Sequence, residues 1–383
     1  MPFNLTLDNV LLNETSNTSS TNINNIKCTG YDNYDVVSEY RKFVLETQRE
    51  LIDSEKYLYA CILESEGYST VINEGFSNFI NKIKDAIKKF VNWIKNAIIK
   101  FINKVKQLFS KKVSSKGTNK SIDNMDLVLI IEYYAKNLDK FKPFNIKGYR
   151  YTNLDSNHMT RPNIEHCTKN NVEGYEQYTN TLDTILDIAS SSYKGKDEDK
   201  PRIDQDYVYD YYKKFKQSLT DTYETLRAEL VGKSSVKISR SEFSDELFRY
   251  FRNGTDTESE FTVEVEYLDT NLKCLLFPDF VKTTNDEWKS VEQYCKDECD
   301  NINNMIKKIS DSINNNNEIS DKAAIKDTID KYALLYSDKI LNIISIAGEY
   351  FTAKIAAGNE ALNQLKAMTS TLVGMYEEDT KKS

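Results

Sequence analysis

The sequence predicts a mainly α protein, a bundle of long helices with a minor small β-sheet near residues 235–277. Apolar residues recur at helical spacing over several long stretches. Only 5 Pro and 12 Gly, beside 29% charged residues, suit helices better than a turn-rich sandwich. One segment, "EFTVEVEYLD", instead alternates apolar and polar residues as a half-buried strand does.

Residues 1–32 form a polar leader rich in Asn, Ser and Thr, without the basic start and long apolar run of a secretory signal. An N-terminal helical region over 33–141 follows. Val36, Val37, Tyr40, Phe43, Val44, Leu51, Leu58, Ile62 and Leu63 mark a first helix up to Gly67. "EGYSTVINEG" is a break, with Gly67 and Gly75 as helix stop and restart. A cationic amphipathic helix spans 76–112; "SSKGTNKS" closes it and "NMDLVLIIEYYAKNLDKF" opens a further, buried helix. Residues 142–171, with Pro143 and Pro162, lose all periodicity and read as an irregular connection.

The remainder, 172–383, reads as a C-terminal helical domain with a small β insert. Helical patterns run over Val172–Tyr193 and Ile203–Leu230, on either side of the charged linker "KGKDEDKPR". "SRSEFSDELFRYF" is a short helix with Ser239 and Glu242 in capping-box spacing. Phe261, Val263, Val265 and Tyr267 form the strand, with "SSVKIS" and "LKCLLF" as its candidate partners. Two long helices, about Phe280–Ile313 and Ser320–Tyr376, flank the hinge "NNNNEIS".

The cationic helix is the most distinctive element. On a wheel of about 100° per residue, Phe76, Ile80, Ile83, Ile87, Phe90, Ile94, Ile98 and Phe101 form one apolar stripe. Lysines such as Lys88 and Lys95 fall on its flanks and back; Trp93 and Ile99 fall outside the stripe. The spacing follows the plain 3.6 period better than a heptad, so a fairly straight rod is expected. Three readings compete: a rod packed against helices of its own chain, a helix lying on an anionic membrane surface, and a lysine face contacting nucleic-acid phosphates. A net charge of -8 argues against a general nucleic-acid binder, and nothing in the sequence points to base recognition.

Catalytic signatures are missing. The 2 histidines, His158 and His166, match no triad spacing, and no phosphate loop, nucleophile elbow or zincin motif occurs. The 6 cysteines lack the spacing of a disulfide framework; Cys295 and Cys299 with His166 and Cys167 could be drawn as a zinc set, but buried thiols are the simpler reading. No 18-residue uncharged apolar run is present. The expectation is a non-enzymatic protein with no catalytic residue, metal or cofactor.

The arrangement "EGF" followed by "FINKIKDAIKKFVNWIKNAIIKFINKVKQLF", after a short helical leader, resembles the amino-terminal part of virion-associated proteins of large tailed bacteriophages, over about residues 36–112. The resemblance implies a virion protein, made in the host cytoplasm, that packs against itself or other head proteins. Some such proteins are trimmed after a short motif ending in Glu, and "INE" places Glu74 before Gly75 in that position. The alternative expectation is a membrane-active protein that uses helix 76–112 on anionic bilayers.

Overall fold

The structure is a computed structural model that describes residues 69–110, 113–114, 121–122, 124–170, 205–276, 279–315 and 322–382. The expected helices over 36–67 and 172–193 lie outside the described residues. Helix accounts for 76% of what is described, which makes the chain mainly α. In chain order the helices are α1 (Ser69–Ser110), α2 (Asn124–Lys136), α3 (Arg161–Glu165), α4 (Gln205–Leu230), α5 (Arg240–Phe251), α6 (Val265–Leu276), α7 (Asp279–Asn315) and α8 (Lys322–Lys382). The strands β1 (Val113–Ser114) and β2 (Ser121–Ile122) pair as a two-residue ribbon around "SSKGTNKS", and β3 (Phe144–Gly148) pairs with β4 (Ser259–Val263).

Three long helices make the centre, and residue pairs fix their directions. Glu287 and Glu298 on α7 meet Lys354 and Lys339 on α8, so those two run antiparallel. Lys84 meets Asp300 and Phe101 meets Phe280, so α1 also opposes α7. The ring of Phe90 faces Phe351, while a side-chain carbon at Gly358 would sit against Phe101, so α1 runs parallel to α8. The residues that α7 buries, including Phe280, Thr284, Glu287, Val291, Tyr294 and Glu298, recur every three or four positions. From Ile340 to Leu365, α8 is buried nearly all round, as expected of a helix that is apolar on every side. One continuous buried cluster runs from Ala86 to Val373 and takes in Tyr149, Tyr151, Leu154 and Met159 from the connection over 142–171.

The β element departs from expectation in two ways. The strand is real but shorter: it ends at Val263, and Val265 and Tyr267 lie on the first turn of α6, where both are buried. Its partner is neither "SSVKIS", which is turn and irregular chain, nor "LKCLLF", most of which is α6, but Phe144–Gly148 inside the expected irregular connection. Phe144 and Ile146 do alternate with exposed Asn145 and Lys147, but two apolar residues are too few to register as a period. Gly148 ends that strand against α8. A Cβ there would lie 2.2 Å from Gln364 Oε1, and Gln364 accepts from the Tyr149 N–H (3.1 Å) and donates to its carbonyl (2.8 Å), standing in for a neighbouring strand.

The expected restart at Gly75 is replaced by continuous helix from Ser69 onward, since one glycine costs a helix only about 1 kcal/mol and does not break it, while the expected stop at Gly67 lies outside the described residues. At α5 the capping pair forms as expected: the Ser239 backbone N–H donates to the Glu242 carboxylate at 3.3 Å.

Candidate interaction helix and buried charge network

Helix α1 turns its stripe inward. Ile87, Phe90, Ile94, Ile98 and Phe101 are buried, Phe90 and Ile94 completely, under α7 and α8. The side chains of Phe76, Ile80 and Ile83 lie outside the described ones. Trp93, which the wheel puts outside the stripe, is buried too and stacks on Phe90 at 6.2 Å, because two covering helices hide a wider arc than one would. Ile99 remains 53% exposed. Glu74 and Gly75 sit in the second turn of α1, so a protease would meet helix there, not an extended segment.

The outward face is polar. Asn78, Asn81, Asn92, Asn96 and Asn103 form its ridge, with Lys82, Lys88, Lys95 and Lys100 exposed beside it. Not all of this charge faces solvent alone: the Lys84 ammonium lies 3.2 Å from Asp300, and Lys95 sits 4.8 Å from the Trp288 ring centroid. Lys95 therefore braces the α1–α7 seam through a cation–π contact. These lysines are the flank of a packed helix whose apolar side is already covered.

Inside the bundle, charges pair with one another. Lys354 and Glu287 are 2.6 Å apart with both side chains fully buried. Glu287 also accepts from the backbone N–H groups of His158 (2.9 Å) and Met159 (3.0 Å) and from the Tyr350 hydroxyl (2.7 Å), while Lys354 donates to the Ser156 carbonyl as well. Lys339 and Glu298 form a second buried pair at 3.0 Å. Arg252 clamps Glu360 at 2.7 Å, lies over the Tyr149 ring, and shares that carboxylate with the Tyr151 hydroxyl. A buried pair of this kind contributes little net stability but penalises any register that separates its charges. α8 supplies one partner to each pair, so together they fix it lengthwise against α7 and α5.

The side chains of both histidines and of three cysteines are described. His158 contacts the Tyr250 hydroxyl through Nε2 at 2.7 Å, and burial holds its pKa below the ordinary value. His166 begins a short π-helical turn after α3. Cys167, Cys295 and Cys299 are buried free thiols; burial pushes Cys167 up to about 11 and Cys299 to about 12. Among the described residues no group of three His, Cys, Asp or Glu side chains is placed to hold a metal ion.

Sequence reasoning singled out the stripe but not the ion pairs. Glu287, Lys354, Lys339, Glu298, Arg252 and Glu360 look like ordinary surface charges of long helices, and their partners are far away in the chain. The one available signal was their position on apolar faces, as with Glu287 between Thr284 and Val291. No family model, curated protein or solved structure matches this chain.

Proposed function

We propose that this chain is a non-enzymatic structural protein that works by helix packing and docking, with a bacteriophage virion as its setting and other head proteins or further copies of itself as partners. The observation that carries this reading is that α1 places its apolar stripe in the core and keeps a lysine and asparagine ridge outside. The ridge suits salt-sensitive docking to an acidic protein surface. The closed, mutually paired interior charges suit a body built for rigidity. Mass spectrometry of purified particles from the source, with sedimentation of the recombinant chain alone, tests it. Recovery in particles or self-association supports the reading; absence from particles together with a strictly monomeric chain overturns it.

A second reading, membrane activity, is favoured by one observation. The segment Lys339–Leu365 is long and apolar enough to cross a membrane by length and composition, and it packs against the α1 stripe. As folded, 83% of its apolar window is buried, as in the core helix of a soluble protein, so bilayer insertion requires the bundle to open. Sedimentation with anionic vesicles, of the chain both intact and cut after Glu74, separates the readings: the structural one expects both forms to stay in the supernatant.

A further inference from the structure

One of the 2 histidines in the chain stands over the most deeply buried ion pair among the described residues. His158 lies in the loop between β3 and α3. Its ring meets Tyr250 of α5 edge to face, with Nε2 2.7 Å from the phenol oxygen. Its backbone N–H donates to Glu287 Oε1, an oxygen that also accepts from Met159 and Tyr350, while Lys354 holds Oε2. Around the imidazole and its tyrosine stand Asp155 from the same loop, Glu229 from α4, Glu287 from α7, and Tyr350 and Lys354 from α8. The loop, α4, α5, α7 and α8 thus converge at one point.

We propose that His158, with Tyr250, Glu287 and Lys354, forms an acid-operated latch that closes the 149–160 loop and α5 onto the α7–α8 seam when the imidazole is neutral and loosens that closure when it is protonated. In the neutral tautomer that carries its proton on Nδ1, Nε2 accepts the Tyr250 hydroxyl proton. Protonation makes Nε2 a donor, so the phenol proton must swing away. It also adds a second cation beside Lys354, where the fully buried carboxylate of Glu287 is already engaged by four donors. Burial, opposed by Glu287 and reinforced by Lys354, holds the histidine below its ordinary range. The unfolded chain therefore takes up the proton first. The contribution of neutral His158 is complete above the ordinary histidine pKa of about 6.5, declines as pH falls through it, and levels off below the lowered folded value.

The test uses the full chain at about pH 7.5 and about pH 5.5, the window in which histidine titrates. Hydrogen exchange, corrected for its intrinsic pH dependence, and thermal melting are compared for the unmodified protein, His158→Gln and His166→Gln. Glutamine keeps an acceptor for Tyr250 but takes no proton. The unmodified protein and His166→Gln should exchange several-fold faster across 149–160 and α5 at the lower pH and melt earlier, and His158→Gln should lose that response. An equal response in all three, or one removed only by His166→Gln, overturns the latch. If His158→Gln melts early at both pH values, the two imidazole resonances of the unmodified chain decide. One titrating below the ordinary range, in step with the melting transition, supports the latch; two ordinary titrations overturn it.

Discussion

Lys354 and Glu287 meet across the α7–α8 seam at 2.6 Å with neither side chain exposed to solvent. The pair ties the central helix to its neighbour at one register, because a slide of one turn would leave both charges buried and unpaired. The same carboxylate satisfies two backbone N–H groups of the 149–160 loop, so it helps to fasten a connection without regular structure to the core.

Glu287→Gln should therefore cost about 3–5 kcal/mol, since glutamine still accepts from the loop and Tyr350 but strands a buried ammonium. Adding Lys354→Met should recover much of that loss. Urea melts of the two singles and the double give the coupling directly; a double variant no more stable than Glu287→Gln would sink this account.

The packing of α1 can be tested in the same way. Ile94 is fully buried, so Ile94→Asp should destabilise the fold by about 3–5 kcal/mol. Lys88 is exposed, and Lys88→Glu should stay within about 0.5 kcal/mol of the unmodified protein. An unchanged melting temperature for Ile94→Asp would falsify the burial of the stripe.

Gly358 lies where side chains of all three central helices meet. A Cβ at that position would lie 2.8 Å from the Phe280 ring and 3.4 Å from Phe101, and these rings touch in a tilted arrangement with centroids 4.6 Å apart. Gly358→Ala must push Phe280 into packed surroundings. Despite alanine's better helix propensity, we expect a loss of about 1–3 kcal/mol by thermal melting; a gain in stability would mean that the seam has slack.

Thiol labelling reads the opening of the core. Cys167, Cys295 and Cys299 are buried, and burial raises the pKa of each, so at neutral pH they are inaccessible and protonated. Peptide mapping after a pulse of alkylating reagent should find these three unmodified in the native protein and modified in urea. Rapid native labelling of Cys295 would contradict the packing of α7 on α8.

The long helices were legible because they repeat. The apolar residues of α1 and α7 recur at the 3.6 period over many turns, and a stripe such as Ile87, Phe90, Ile94, Ile98 and Phe101 needs no knowledge of its partner to be recognised. The Ser239 and Glu242 cap was legible for a related reason, since both groups belong to one turn. Strand β3 was not, because Phe144 and Ile146 are too short a pattern and pair with a strand more than a hundred residues away.

The sequence by itself determined that the chain is mainly helical and that one helix is cationic with a continuous apolar face, because those properties follow from local spacing. Which surface covers that face was a tertiary decision. A bilayer and a helix bundle offer an apolar stripe the same burial, and only the placement of α7 and α8 gives the stripe to the core. The interior ion pairs were decided there too. A lysine on a helix is a surface residue until a carboxylate from elsewhere in the chain meets it, and Glu287 meets Lys354 only once α7 has folded back along α8.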